Sequence, residues 1–166
     1  MMAAERYPER EVVTMLMPKK ILVPTDFSTF SDKALRQALD IASEYGSEVH
    51  VLHVFDGRLE TTTMPEGYDL IMNVKDVRSL EKSLHDMAEL RVKEQLAKYP
   101  ETKKMKVSYR VVTGTPYVEI LREQEKQEID LIVIASLGQS GVAKYLIGSV
   151  ARNVLKGAAC PVLLTK

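Results

Sequence analysis

The apolar positions of this chain switch several times between strand-like and helix-like spacing. Residues 19–26, KKILVPTD, give a short, fully apolar strand that closes at Pro24. Ser28 is an N-cap residue type, and Ala34, Leu35, Ala38, Ile41, Ala42 and Tyr45 follow along one stripe, which predicts a helix to Tyr45. Gly46 then stands at the C′ position, where a left-handed residue ends a helix. SEVHVLHVFD, 47–56, predicts a second strand, and residues 57–73, GRLETTTMPEGYDLIMN, hold no sustained period and read as a long mobile connection. Val77, Leu80, Leu84, Met87 and Ala88, continued by Val92 and Leu96, predict an amphipathic helix that stops before Pro100. In MKVSYRVV, Met105, Val107, Tyr109 and Val111 alternate with Lys106, Ser108 and Arg110, the rhythm of a third strand. Pro116 suits the first position of a helix from Tyr117 to about Lys126. IDLIVIA, 129–135, reads as a fourth strand, Ala151 to Lys156 fall in a last helix, and PVLLTK, 161–166, reads as a fifth strand.

Strict alternation of strands and helices predicts an α/β fold, a parallel sheet with helices on both faces. The first and fourth strands are continuously apolar, as central strands covered on both sides are. The third alternates and the fifth opens on Pro161, both features of edge strands. A five-stranded parallel sheet of order 3-2-1-4-5 follows, with its chain direction reversing between strands one and four. In open sheets of this kind ligands bind beyond the carboxyl ends of the strands at the reversal. Strand one delivers PTDFS there, and strand four delivers ASLGQSG.

Composition narrows what such a crevice serves. The 166 residues suit one domain, read here as 18–166 preceded by a loose arm or extension, 1–17. Lys plus Arg and Asp plus Glu number 23 each, so no net field draws the protein to nucleic acid or to an anionic membrane. No apolar run reaches the roughly 18 residues of a membrane span, and the charged N-terminus is unlike a secretory signal. The single cysteine, Cys160, excludes an internal disulfide framework and suits a reducing, cytoplasmic setting; its AACPVLL context reads as a small buried residue.

The segment ASLGQSGVAKYLIGS, 135–149, carries three of the eight glycines, Gly138, Gly141 and Gly148, and ends on Ser149. Phosphate binding needs backbone N–H donors at close range and gains from a helix N-terminus, and glycine permits both the approach and unusual backbone angles. Equally, Gly148-Ser149 can be a plain helix cap and Gly138 a plain turn. Asp26 also has two readings: its carboxylate can accept hydrogen bonds from ribose hydroxyls or a base amine, or it can brace the turn from Thr25 to Ser28. There is no G-x-x-x-x-G-K-[ST] and no G-x-G-x-x-G after the first strand. His50, His53 and His85 lack metal-ligand spacing and read as histidines with backbone partners. No serine elbow or acid–base pair stands out.

ILVPTDFS, VLHV, VVTGTP, DLIVIAS and GSVARNVLKGAACPVLLTK, each at its place in the same βα order, resemble the universal stress protein family from about Lys19 to the C-terminus. The resemblance implies an adenine nucleotide α-hydrolase-like fold, a homodimer paired through the last strand, and a regulatory or sensor role with an unidentified protein partner. Its ATP-binding branch carries G-x2-G-x9-G-[ST]. Here the second glycine is Gly138, nine residues follow, and Gly148-Ser149 completes the motif; Ala135 stands where the first glycine would be. By the same resemblance Pro24, Thr25 and Asp26 would border the nucleoside and Val54 would touch the adenine. Gly138, Gly148, Ser149 and Val150 would hold the phosphates of ATP or another adenine nucleotide, bridged by Mg²⁺ or Mn²⁺. Gly114 would lie at the mouth of the crevice without an assigned contact. The methyl of Ala135 would fall where main chain approaches the ligand, which keeps open a non-nucleotide interaction protein; a slow ATPase is a third reading.

Overall fold

Five strands, β1 (Lys20–Thr25), β2 (Glu48–Phe55), β3 (Val107–Thr113), β4 (Leu131–Ala135) and β5 (Val162–Thr165), form one sheet in the computed structural model of the protein. Its order is β3-β2-β1-β4-β5 and every pairing is parallel. The helices are α1 (Thr29–Tyr45), α2 (Val74–Ala97), α3 (Pro116–Lys126) and α4 (Ser149–Gly157), with a 3₁₀ turn at Pro100–Lys104. The structure describes residues 17–56, 74–138 and 147–166, the side chains of 74–78, 80 and 81 excepted. Residues 1–16 of the expected arm, the whole connection 57–73 and residues 139–146 of the glycine segment therefore lie outside the described residues.

Helix ends follow the local chemistry. The Ser28 side chain accepts the Ser31 N–H at 3.1 Å, and Gly46, at φ 70°, returns its N–H to the Ala42 carbonyl. In α1 the core takes Leu39, which the expected stripe omitted, while Tyr45 at its end is exposed. In α2 the buried stripe is narrower than expected: Ala88 and Val92 are covered, but Met87 is 54% exposed. Two adjacent helical positions point about 100° apart, so 87 and 88 cannot both face the sheet.

Two boundaries move for hydrogen-bonding reasons. Met105 closes the 3₁₀ turn by donating its N–H to Thr102, so β3 starts at Val107. Residues 129 and 130 tie the α3–β4 turn rather than extending β4: Ile129 donates to the Gln124 carbonyl, and the Asp130 carboxylate accepts the N–H groups of Lys19 and Lys20.

Alternation along the strands divides the interior into two cores. Ile21, Val23, Val49 and Val51 face α1 and α2. Leu22, Leu52, Ile132 and Ile134 face α3 and α4, with Ile120 and Val154 as their helical partners. Since β1 is buried on both faces, its carboxyl end is fixed from both sides. The site described next sits on the α3–α4 face, at that end.

Candidate functional site

The chain reverses direction between β1 and β4, and the two strand ends open onto one cleft of about 220 Å³. Gly148 donates its N–H to the Ser136 carbonyl at 2.7 Å, so the start of α4 is tied to the end of β4. All eight residues singled out from the sequence, Pro24, Thr25, Asp26, Val54, Gly138, Gly148, Ser149 and Val150, line this cleft. Much of the lining is apolar: Pro24, Leu52, Val54, Pro116, Ile120 and Ile134. The N-terminus of α4 lines it as well. Ser149, Val150 and Ala151 are its first residues, so no earlier helical turn supplies carbonyls for their N–H groups. Gly148, the N-cap, makes no side-chain cap bond. The helix start brings a partial positive charge to the cleft.

Asp26 lines the same cleft. Its Oδ1 accepts the Ser28 N–H at 3.0 Å, and Oδ2 lies 2.7 Å from where a Cβ on Gly138 would stand. Asp26 therefore braces the turn, one of its two sequence readings, and also lines the cleft. A side chain at 138 would press on this carboxylate and force it to shift.

Thr25 borders the cleft differently from the expectation. Its residue is 5% exposed, and its hydroxyl lies 3.0 Å from Gln95 Oε1 and 3.1 Å from Ser31 Oγ, while accepting the Phe27 N–H. Strand alternation turns this side chain to the α1–α2 face, leaving main chain toward the cleft. Gln95 carries the link onward, donating Nε2–H to Asp32, which also pairs with Lys98.

Behind Asp26 stands an aromatic stack. Phe27 has φ 64°, uncommon for a bulky residue. Its ring centroid is 4.4 Å from that of His53, which meets Phe55 edge-on at 5.0 Å. The Arg91 guanidinium lies over the same Phe27 ring at 4.2 Å. His53 Nδ1 is 2.9 Å from the Thr25 carbonyl, so that nitrogen carries the proton and donates. Burial, assisted by Arg91, pushes the His53 pKa below its ordinary value, against the opposing pull of the Thr25 bond and Asp26. His85 Nε2 likewise meets a backbone carbonyl, that of Val111, whereas His50 Nδ1 meets the Ser108 hydroxyl.

Four details correct or extend the sequence reading. The Ala135 methyl packs against the core on the α1–α2 side, so it does not project into the cleft although its main chain borders it. Gly114 is not among the cleft residues; a side chain there would meet that of Glu119, and Pro116 and Ile120 line that flank instead. Ser31, Leu52, Ile134, Ser136 and Leu137 also line the cleft unforeseen, and only strand alternation combined with the sheet order marks Leu52 and Ile134 in advance. Cys160 is half-buried against the second core, and burial raises its thiol pKa.

A doubly wound parallel sheet with a half-apolar cleft at its switch point defines a class of α/β ligand-binding proteins. Within it, this chain belongs to the universal stress protein family, whose model matches residues 17–166. Universal stress protein MJ0531 of Methanocaldococcus jannaschii is 34% identical over 149 residues, 89% of this chain and 82% of the relative. Universal stress protein MJ0577 of the same organism is 33% identical over 91% of this chain and 96% of its own length. The solved structure of MJ0577 superposes with a TM-score of 0.76 at 31% identity, covering 91% of this chain and 97% of that one. The fold is the adenine nucleotide α-hydrolase-like fold. Among the described residues no helix is long and apolar enough to cross a membrane.

Proposed function

We propose that the protein binds an adenine nucleotide, ATP in the first instance, in this cleft and acts as a regulatory or sensor module of a stress response. The observation that carries the reading is the combination of chemistry around one cavity. Apolar lining at Val54 and Pro24 suits a base, an acidic acceptor at Asp26 suits ribose hydroxyls, and the start of α4 at Gly148, Ser149 and Val150 suits phosphates. Two proteins of this fold, each 20% identical to the chain, support the capacity of the architecture: a universal stress protein solved in complex with cAMP, and one from Archaeoglobus fulgidus solved in complex with dAMP.

Mg²⁺ or Mn²⁺ would enter on the phosphates. Among the described residues no group of three or more His, Cys, Asp or Glu is placed to hold a metal ion, so the chain's own part is to supply N–H donors and the Ser149 hydroxyl. Binding rather than turnover is the role the lining supports: Asp26 is the one ionisable side chain among the described lining residues, and it is engaged with Ser28. The departure that favoured a non-nucleotide interaction protein, Ala135, loses its force with the methyl on the far face. The working form in this reading is a cytoplasmic homodimer joined through β5, which presents the nucleotide state to a protein partner.

Equilibrium binding of a labelled ATP analogue to nucleotide-stripped protein, with Mg²⁺ present, tests the proposal. Saturable binding is expected. Absence of saturation up to about millimolar ligand, an affinity worth only about 4 kcal/mol, would reject it.

A further inference from the structure

We propose that Phe27 is a positioning residue for the cleft: its ring, clamped between Arg91 and His53 on the opposite face of the sheet, holds the left-handed turn that presents the Asp26 carboxylate to the ribose. The inference rests on the nucleotide reading above and adds to it a residue with no place in the cleft lining.

The turn is held at three points. Phe27 occupies φ 64°, a region where an L-residue with a bulky side chain is strained, so something must pay for it. Its N–H is taken by Thr25 Oγ1 at 3.1 Å, and Thr25 is itself buried against Gln95 of α2. Its ring rests 4.4 Å from His53 of β2 and under the Arg91 guanidinium of α2 at 4.2 Å, a cation–π contact. His53 in turn is anchored to the Thr25 carbonyl at 2.9 Å. Backbone angles at Phe27 are thus set by β2 and α2, and they determine where the chain places Asp26 and Ser28 on either side. The Ser28 N–H fixes Asp26 Oδ1 at 3.0 Å, which orients Oδ2 toward Gly138. A ring on one face therefore governs a carboxylate on the other.

The consequence is a specificity effect. A carboxylate held in register accepts hydrogen bonds from ribose hydroxyls, and a nucleotide lacking them forfeits those bonds. Loosening the turn lets the carboxylate wander and erases the preference while leaving base and phosphate contacts in place.

The test measures affinities for ATP and 2′,3′-dideoxyATP, both with Mg²⁺, on the full chain and on Phe27→Gly, Phe27→Tyr, Arg91→Gln and Asp26→Asn. Glycine adopts the same left-handed angle without strain, so any loss in Phe27→Gly reports the ring rather than the turn angle. The unaltered protein is expected to prefer ATP by roughly tenfold or more, as a charge-assisted bond implies. Phe27→Gly and Asp26→Asn should both bring the two ligands to within about threefold, with dideoxyATP affinity little changed, while Phe27→Tyr keeps the preference. Arg91→Gln, a change at an exposed position, should narrow it partly and remains informative if Phe27→Gly does not fold. Full preference in a folded Phe27→Gly, or in Arg91→Gln when the glycine variant is unfolded, overturns the proposal. An unaltered protein that binds both ligands equally overturns it while leaving nucleotide binding standing. One that binds neither overturns the nucleotide reading itself.

Discussion

Ala135 ends β4 and Gly138 follows three residues later in the loop against Asp26, so methyl groups at the two positions have opposite meanings. At 135 the methyl belongs to the core between sheet and α1. Ala135→Gly restores the family's glycine motif but removes only packing and adds backbone entropy. It should lower stability by about 0.5–1 kcal/mol and leave ATP affinity within about twofold. At 138 a methyl would stand 2.7 Å from Asp26 Oδ2. Gly138→Ala forces the carboxylate aside, and ATP affinity should drop by about tenfold with the melting curve little moved. Isothermal titration and thermal melts of the two variants check both; equal affinity loss in the pair would mean that the motif acts through glycine flexibility alone. The sequence motif marks both positions, yet alternation along β4 turns the Ala135 methyl to the α1–α2 side, while Gly138 lies beyond the strand against Asp26. Phe27 was invisible for a related reason: positive φ in a non-glycine residue leaves no compositional trace, and its partners come from β2 and α2, far away in sequence.

Whole elements were legible where their period was strong. β1, α1, β2, α3 and the sheet order are as the pattern predicts, because continuous apolar runs and single-face stripes encode burial directly. The boundaries that shifted, Met105 and Ile129–Asp130, are places where turn hydrogen bonds outcompeted strand pairing. The two edges of the sheet also differ in kind. β3 shows exposed Ser108 and Arg110, the polar residues that discourage further pairing. β5 pairs on one side only with β4 and exposes Leu163, with Leu155 of α4 and Ile147 exposed as well. An unguarded apolar edge strand is suited to pairing with a second copy. Sedimentation should therefore give a dimer for the unaltered chain and a monomer for Leu163→Glu, whose charges would meet across a two-fold axis. A monomeric unaltered chain, or a dimeric variant, places the contact elsewhere.

At the scale of the molecule, the stack beneath the cleft ties folding stability to pH. His53 is held neutral: burial pushes its pKa down and Arg91 acts in the same direction, outweighing the Thr25 carbonyl and Asp26. In the unfolded chain the same imidazole titrates near its ordinary value of about 6.5. Above that pH both states are neutral and the group contributes nothing to the pH slope. As pH falls through about 6.5 the unfolded chain takes up the proton first, so the folded state loses stability until the pH passes below the depressed folded value. His53→Gln removes the titration while retaining a side-chain N–H for the Thr25 carbonyl. Urea midpoints of both proteins, measured from about pH 8 to 5, should keep a constant separation at the alkaline end and shift against the unaltered chain below about 6.5. His50 and His85 are common to both proteins, so their contributions cancel in the difference. Curves that stay parallel throughout would mean that the imidazole takes its proton equally well folded and unfolded, and that the Phe27–His53–Arg91 stack tolerates a second cation.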